Sequence, residues 1–416
     1  MTMIQKPKGT TDFYPEDFAI RERIFNTLKS VSERYNFKQI ESPAFENLDL
    51  LTRKEGEEIK QQIFTLEKRG DEQFGLRFDL TIPAARMFIA IQKSAPKPIK
   101  WFFLSRMWRY EQPQQGRLRE FYQMSAEIFG SANINADAEI ISLAIDCLLE
   151  LGLKKSDFIV KLNSRKLLEG LLPEIAGKEK TEEVIRIIDK RKKISENEFA
   201  KSLKSTGLSD RKIREIIKIL NTEDITKLKT ENESAKSGIA EINSILELLG
   251  EKKSFIKIDL STARGLAYYT GTVFEIFDSE EKYRSIAGGG RYDNLVEFLG
   301  GQSAPATGFA IGYATLSIML KDKGLLPEIS KTVDYFICIV NDDVRKEAIK
   351  IAQTLRKKYS VDIDINGRNL NSQMQYANSL GVEKVIIVGK KDLAEGKVTV
   401  KDMKTGEERK VSPEKI

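Results

Sequence analysis

An apolar run typical of a β-strand, residues 272–277, lies between two segments of unusual composition. The segment before it, residues 263–271, carries a cation and two phenols, and the segment after it, residues 287–293, carries three consecutive glycines. A guanidinium binds phosphate or carboxylate oxygens through paired hydrogen bonds, and glycine permits close backbone approach. The combination indicates either a pocket for a small polar ligand beside a phosphate or a simple β-hairpin with a glycine-rich turn.

The composition is that of a soluble globular protein with several domains. Of the 416 residues, 41% are hydrophobic and 31% are charged, so the chain should bury the cores of two or three domains. No apolar run reaches the length of a membrane span, and residues 1–8 lack the apolar core of a signal peptide, so we expect a cytoplasmic protein. Cys147 and Cys338 lie in separate apolar runs, which predicts buried thiols rather than a disulfide or a metal site.

The chain contains no histidine. This count excludes a Ser-His-Asp triad, an imidazole base and a His-ligated metal, so any chemistry must use other side chains, backbone groups or the substrate itself. The net charge of +6 is compatible with a polyanionic partner, but mildly basic proteins are common and the charge alone does not identify one.

The first 150 residues show the hydrophobic patterns of an α+β fold. Apolar residues recur at helical spacing over residues 16–35, and a short strand is predicted at residues 37–43. Polar residues at alternate positions of residues 76–81 predict a strand end with polar groups on one face. Further strands are predicted at residues 73–78, 100–104 and 120–129, and helices at residues 79–93 and 135–151.

Residues 172–246 have a different composition, with Ile and Leu at helical spacing and almost no aromatic residues. Within this stretch, residues 178–236 contain 16 Lys and Arg and 12 Asp and Glu. We interpret it as an inserted helical module. Its charges form either solvated helix faces or a basic surface that contacts RNA.

The remainder of the chain divides at a candidate linker, residues 321–327. Before it, strands are predicted at residues 254–259, 272–277 and 283–286, and helices at residues 294–299 and 312–321. Beyond it, strands at 333–340, 361–365 and 384–388 alternate with helices at 343–359 and 372–380, and a hairpin follows at 397–411. This alternation predicts a small α/β domain with a mostly parallel sheet.

A second chemical cluster lies in residues 106–123. Arg109 and Glu111 stand at alternate positions before a loop, and Phe121 and Gln123 stand at alternate positions on the return strand. A hairpin would set them side by side, with the cation suited to a phosphate, the carboxylate to an exocyclic amine and the ring to a purine. The alternative is a solvent-exposed charged hairpin.

These segments resemble known motifs in the expected order. Residues 106–123 resemble motif 2 of the class II aminoacyl-tRNA synthetases, and the helix running into residues 37–43 resembles motif 1, which forms a dimer interface. Residues 264–271 and 288–293 are similar to the two histidine-specific signatures of the histidyl-tRNA synthetase family. The C-terminal part, including residues 398–407, resembles the anticodon-binding domain of the same family.

The resemblance implies an antiparallel-sheet catalytic domain, residues 1–325, with the helical insertion at about 172–246, and an anticodon-binding domain, residues 330–416. The implied activity is a histidine–tRNA ligase, which converts L-histidine and ATP to histidyl-adenylate and passes the histidine to the 3′ end of tRNA(His). Mg²⁺ would bind the outer phosphates of ATP, no metal would be held by protein side chains, and the protein would be a homodimer. The alternative is a non-catalytic paralogue that senses histidine or tRNA, but it explains the retained motif residues and the C-terminal domain less well.

The resemblance assigns one group of side chains to the amino acid. A carboxylate and a hydroxyl would accept hydrogen bonds from its α-amino group, and a carboxylate and a phenol would flank its imidazole. In that order they are Asp79, Thr81, Glu127 and Tyr269, and Gln123 and Tyr268 complete the group. If the segment is extended, the two phenols point to opposite faces and at most one is expected to face a given ligand.

A second group is assigned to ATP and the reaction. Arg109 and Arg264 would hold the α-phosphate and are the implied catalytic residues, because a fixed guanidinium can offset the charge that develops at phosphorus. Arg264 stands where related synthetases use a metal ion. Glu111 would meet the adenine amine, Phe121 would stack on the ring and Arg117 would reach the outer phosphates. The tRNA acceptor end would lie near Gln114.

Several positions depart from the family's pattern. Ala267 replaces an Asp, which we expect to weaken the turn that carries the catalytic arginine. Gln112 and Gln115 replace Arg and Lys, which lowers the positive charge beside the acceptor stem. Thr315 replaces the motif 3 Arg that packs on adenine, so adenine would be stacked on one side only unless another arginine, such as Arg291, substitutes.

Overall fold

The computed structural model divides the chain into two compact units, Met1–Pro327 and Glu328–Ile416. Among the helices it describes, none combines the length and the apolar character that crossing a lipid bilayer requires. The described residues are 4–53, 60–191, 194–222, 224–262, 268–328 and 333–416.

The first unit is built on an eight-stranded sheet and a separate two-stranded ribbon. Its strands are β1 (Lys38–Gln39), β2 (Phe45–Asn47), β3 (Phe74–Leu76), β4 (Ile99–Trp108), β5 (Glu120–Phe129), β6 (Phe158–Ser164), β7 (Ile256–Ile258), β8 (Thr272–Asp278), β9 (Ala287–Arg291) and β10 (Ala306–Gly312). The large sheet has the order β1-β4-β5-β10-β9-β8-β6-β7, and β2 pairs with β3. The pairs from β4 to β6 are antiparallel, and the edge strands β1 and β7 join in parallel. The predicted α+β class with an antiparallel core sheet is therefore confirmed.

Helices surround this sheet. They are α1 (Pro15–Arg34), α2 (Leu48–Thr52), α3 (Thr81–Ile91), α4 (Asn135–Glu150), α5 (Arg165–Ala176), α6 (Thr181–Lys190), α7 (Glu196–Ser205), α8 (Asp210–Leu220), α9 (Glu233–Leu248), α10 (Leu295–Phe298) and α11 (Tyr313–Asp322). Between β6 and β7, the described residues form helices and no strand. The long insertion predicted from the change in composition is therefore helical.

The central strand β5 separates two environments, because successive side chains on a strand point to opposite faces. Met124, Ala126 and Ile128 join the large apolar core that contains residues of α1, α4 and α11. The neighbouring strand β4 divides in the same way, since Phe102 belongs to this core and Phe103 to a second cluster beneath α3. The second face is where the polar residues of β5 lie.

The glycine triplet lies in a strand and not in a turn. The strand predicted at residues 283–286 is wrong, because pairing begins at Ala287 and the strand β9 runs to Arg291. A Cβ on Gly289 would lie only 2.5 Å from the Cβ of Phe309 on the adjacent strand. Glycine therefore lets β9 fit between two neighbours, and its low strand propensity hid the strand from sequence reasoning.

The second unit is a five-stranded sheet with helices α12 (Arg345–Leu355), α13 (Leu370–Ser379) and α14 (Lys390–Ala394). Its strands are β11 (Tyr335–Ile339), β12 (Val361–Ile363), β13 (Lys384–Val388), β14 (Val398–Asp402) and β15 (Glu408–Val411), in the order β12-β11-β13-β14-β15. Three strands are mutually parallel, but the last two pair antiparallel. The three parallel strands and the antiparallel C-terminal hairpin both follow the prediction, and together they form a mixed sheet.

Helices α5 and α9 approach each other closely through two glycines. A Cβ on Gly238 would lie 2.6 Å from the backbone nitrogen of Leu167, and one on Gly170 would lie 2.5 Å from that of Ala235. Backbone atoms cannot move aside as the end of a flexible side chain can. Only glycine therefore fits at these two positions.

We expect Gly238→Ala to lower the free energy of unfolding by about 1–3 kcal/mol, because the added methyl group overpacks the contact with Leu167. The sign is informative, since Gly to Ala in an exposed helix interior raises stability by about 1 kcal/mol. Urea denaturation followed by circular dichroism measures the difference, with Ser237→Ala at the adjacent exposed position as the control. An unchanged or higher stability would contradict the close approach of the two helices.

Candidate active site

On the polar face of the central sheet, which we call the cleft, the strands beside β5 carry almost no side chains. On β5 the residues that point to this face are Phe121, Gln123, Ser125 and Glu127. The residues that face them across β10 and β9 are almost all glycine, namely Gly288, Gly290, Gly308, Ala310 and Gly312. Glu127, Tyr292 and Tyr269 take up the space beside Gly308 and Gly290, whereas a Cβ on Gly312 would meet no atom within 4 Å, so the row is more open at its outer end.

Glu127 lies at the inner end of this row and is 1% exposed. The hydroxyls of Thr81 and Ser125 donate to its Oε1 over 2.9 and 2.7 Å, and the Tyr292 hydroxyl donates to its Oε2. A Cβ on Gly308 would lie 2.5 Å from the Tyr292 hydroxyl and would collide with the carboxylate. The glycine on β10 is therefore a condition for placing the carboxyl group here.

Burial raises the pKa of Glu127 to about 8, against an ordinary value of 4.5, and the charge of Asp79 adds to this rise. The hydrogen bonds from Ser125 and Thr81 oppose it, because they stabilise the carboxylate form. Desolvation outweighs them. The Glu127 carboxyl is therefore neutral below about pH 8 and can donate as well as accept a hydrogen bond.

Asp79 and Thr81 lie at the start of α3. The Asp79 Oδ1 accepts hydrogen bonds from the backbone N–H groups of Thr81 at 2.7 Å and Ile82 at 3.1 Å. These are donors that a helix N-terminus leaves without intrahelical partners. The helix predicted at residues 79–93 is therefore found at Thr81–Ile91, and the strand end predicted over residues 76–81 is wrong, because β3 stops at Leu76. The helix instead holds the Thr81 hydroxyl against Glu127.

Tyr268 and Tyr269 both lie in the apolar cluster on this face and are 4% and 5% exposed. Their ring centroids are 4.9 Å apart, and that of Tyr292 lies 5.6 and 6.2 Å from them. The expected alternation of the two phenols does not apply, because these residues belong to no strand. A Cβ on Gly290 would lie 3.0 Å from the Tyr269 ring, so the bare strand β9 makes space for it.

The nucleotide group predicted from motif 2 lies at the outer end of β5. Arg109 donates from Nε to the Phe78 carbonyl over 2.9 Å, and its guanidinium carbon lies 5.2 Å from the centroid of the Phe121 ring. Arg117 forms an ion pair with Glu111, whose side chain is 7% exposed. The structure therefore places these side chains on one hairpin, with Arg109 and Glu111 beyond the end of β4 and not on a strand face, and their assignment to ATP stays a prediction.

Four further residues were singled out from the sequence: Arg264, Ala267, Gln114 and Arg291. Arg264 and Ala267 lie outside the described residues. Gln114 is exposed in the hairpin loop. The prediction that Arg291 substitutes for the motif 3 arginine is wrong, because its side chain is 4% exposed and its guanidinium binds Asp137 and Asp293. That ion cluster joins β9 to the start of α4.

Sequence reasoning missed Tyr292 and Ser125, which complete the surroundings of Glu127. Strand alternation would have found Ser125, since it stands two residues before Glu127 on β5. Tyr292 follows the glycine-rich strand, and the position of its hydroxyl depends on the pairing of β9 with β10, which no local pattern shows.

Two family models match the chain. The model for histidyl-tRNA synthetase matches residues 9–316, and the model for an anticodon binding domain matches residues 334–416. The chain belongs to the histidyl-tRNA synthetase family.

Individual relatives of the family cover nearly the whole chain. The histidine–tRNA ligase of Pyrococcus furiosus is 40% identical to this chain over an alignment of 425 residues, which covers 100% of this chain and 98% of the relative. That of Haloarcula marismortui is 40% identical over 414 residues, covering 98% and 95%. Among solved structures, the crystal structure of histidyl-tRNA synthetase from Nostoc sp. PCC 7120 superposes with a TM-score of 0.81 at 26% identity, covering 100% of this chain and 99% of the other.

The raised pKa of Glu127 predicts a specific dependence of stability on pH. Because the folded protein binds this proton more tightly than the unfolded chain, the contribution of Glu127 is fully present below about pH 4.5 and is lost as the pH rises through about 8. We expect Glu127→Gln, which cannot titrate, to gain stability relative to the original chain as the pH rises across this range. Urea unfolding across this pH range measures it, with Glu183→Gln on an exposed helix face as the control for a lost charge. A stability difference between Glu127→Gln and the original chain that stays constant with pH would contradict the assignment.

Proposed function

We propose that this chain activates L-histidine with ATP in the cleft of its first unit and then transfers the histidine to tRNA(His). The observation that carries the proposal is the row of side chains on one face of β5, from Phe121 to Glu127. The six rises between these two residues of the strand span about 20 Å, which is enough for an aminoacyl-adenylate to lie along the row. Its inner end would take the imidazole and its outer end the adenine.

At the inner end, the Glu127 carboxyl and the Tyr269 hydroxyl would flank the imidazole of histidine. An imidazole presents one donor and one acceptor nitrogen when neutral, and a carboxyl and a phenol can meet both. Asp79 and Thr81 would accept hydrogen bonds from the α-ammonium group. Gln123 and Tyr268 complete the proposed histidine site.

At the outer end, Phe121 would stack on adenine and Glu111 would accept from its amine. Arg117 would bind the outer phosphates, and Arg109 and Arg264 would bind the α-phosphate. The bond from Arg109 Nε to the Phe78 carbonyl supports this role, because it restricts the guanidinium before ATP arrives. ATP would enter as its Mg²⁺ complex, with the ion on the outer phosphates.

The first step joins a carboxylate oxygen of histidine to the α-phosphorus and releases diphosphate. The two arginines would offset the negative charge that builds on the phosphoryl oxygens in the transition state. In the second step a hydroxyl at the 3′ end of tRNA attacks the carbonyl carbon of histidine, and AMP leaves with the electron pair of the broken bond. Since the chain has no histidine to act as a base, a phosphate oxygen of the adenylate would accept the hydroxyl proton.

The remaining parts of the chain would serve the tRNA and the assembly. Residues 1–325 would form the catalytic domain, with the insertion at about 172–246, and residues 330–416 would bind the anticodon. The acceptor end would pass near Gln114. A homodimer through α1 and the following strand, in the cytoplasm, is the arrangement that the motif 1 resemblance supports.

Histidine-dependent exchange of labelled diphosphate into ATP tests the first step directly. We expect exchange with L-histidine and none above background with other amino acids, because the inner end of the row presents hydrogen-bonding groups that an apolar side chain would leave unsatisfied. If the folded protein binds histidine but catalyses no exchange, the chain is the non-catalytic sensor and not the ligase.

Arg264→Ala should separate chemistry from binding. We expect it to reduce the exchange rate by about a hundredfold or more while histidine affinity changes little, since the guanidinium acts on charge that develops in the transition state. Exchange kinetics and calorimetric titration with histidine give the two values. Arg284→Ala, at an exposed arginine, is the control. Equal losses of rate and affinity would show that Arg264 has only a structural role.

A further inference from the structure

The hairpin loop between β4 and β5 is held at its base and folded back on itself. The Arg109 N–H donates to the Arg119 carbonyl over 2.9 Å, and Arg119 N–H in turn donates to the Gly9 carbonyl over 2.8 Å. Gln114 and Arg117 exchange two backbone hydrogen bonds of 3.0 and 2.9 Å. These hydrogen bonds therefore fix the position of the loop relative to the sheet.

The positions of the groups proposed to bind ATP depend on the position of the loop. Glu111 and Arg117 lie on the two arms of the loop and form an ion pair across it, with Arg117 partly exposed. The Arg119 guanidinium donates from Nε to the Glu111 carbonyl over 3.0 Å and stacks 4.1 Å from the centroid of the Tyr110 ring. A movement of the loop away from the sheet would therefore displace the side chains proposed to contact adenine and the phosphates together.

The tip of the loop rests on Thr315. Gly116 forms the tip with a φ of +73°, and a Cβ placed on it would lie 3.1 Å from the Thr315 Oγ1. Thr315 is 6% exposed, at the start of α11, directly after β10. Gly116 therefore lies next to the Thr315 hydroxyl, and we expect a much longer side chain at position 315 to displace the loop.

We propose that Thr315 is a positioning residue for ATP binding, an inference that rests on the proposed function. Its short side chain seats the tip of the loop, and the seated loop holds Glu111 and Arg117 over the nucleotide. The loop thus covers the region that the motif 3 arginine of related synthetases would occupy. The departure at Thr315 is compensated by the loop and is not a missing contact.

The variant Thr315→Arg distinguishes compensation by the loop from a missing adenine contact, because the two predict opposite changes in the KM for MgATP. We expect Thr315→Arg to lift the loop and raise the KM for MgATP in histidine-dependent exchange by about tenfold or more, with kcat and the affinity for histidine changing less than about twofold. Thr315→Ser keeps the size of the side chain and should stay within about twofold of the original KM. A lower or unchanged KM for MgATP in Thr315→Arg overturns the proposal.

A pair of glycine variants tests the contact from the other side. Gly116→Ala adds a methyl group towards Thr315, whereas Gly70→Ala carries similar backbone strain at a φ of +64° with no atom within 4 Å of the new Cβ. We expect the first to raise the KM for MgATP and the second to leave it unchanged. Equal effects of the two variants would contradict the seated loop. Thermal unfolding confirms that each variant is folded.

Failure of the inference and failure of the proposed function give different results. Absence of exchange by the original chain counts against the ligase, and calorimetric titration with MgATP then compares the original chain with Thr315→Arg. Weaker MgATP binding by the variant supports the seated loop, and equal or tighter binding overturns it. An original chain that binds no MgATP overturns both proposals.

Discussion

The organisation of the first unit depends on the alternation of side chains along β5. Because a strand presents successive residues to opposite faces, the same ten residues supply Met124, Ala126 and Ile128 to the main core and a polar row to the cleft. The apolar face packs in the core that contains residues of α1, α4 and α11. Beside the polar face, β10 and β9 carry glycine and alanine, so the Glu127 carboxyl and the rings of Tyr269 and Tyr292 fit against bare backbone.

Electrostatics within that cleft follows from burial. Glu127 has its oxygens surrounded by hydroxyls, and desolvation favours its neutral form despite those hydrogen bonds. Arg291 lies on an adjacent strand but has the opposite character, since its guanidinium is paired with the carboxylates of Asp137 and Asp293. The protonation of the Glu127 carboxyl can therefore change when a ligand binds. The ion pair between Arg291 and Asp137 instead holds β9 against the start of α4. Removing one partner of a buried ion pair leaves an uncompensated charge, whereas a buried carboxyl group without a countercharge has the perturbed pKa that is common at functional sites.

Local patterns predicted a large part of this arrangement. The 3.6-residue periodicity predicted α1, found as Pro15–Arg34, and the return strand of the hairpin was predicted at the residues that form β5. Patterns failed where the decisive contact is distant in sequence. β9 was misplaced because glycine has low strand propensity, and its backbone is held by β8 and β10 on either side.

The sequence by itself determined which chemistry is available: no imidazole, an arginine and a carboxylate before a hairpin, and the order of motifs that match one family from residue 9 onward. These are properties of covalent order and residue type, so folding cannot change them. Only the tertiary structure decided that Tyr292 reaches Glu127, that Arg291 is occupied by Asp137, and that Thr315 lies beneath Gly116. Each of these contacts joins residues more than 100 positions apart, and strand pairing and helix packing alone bring such residues together.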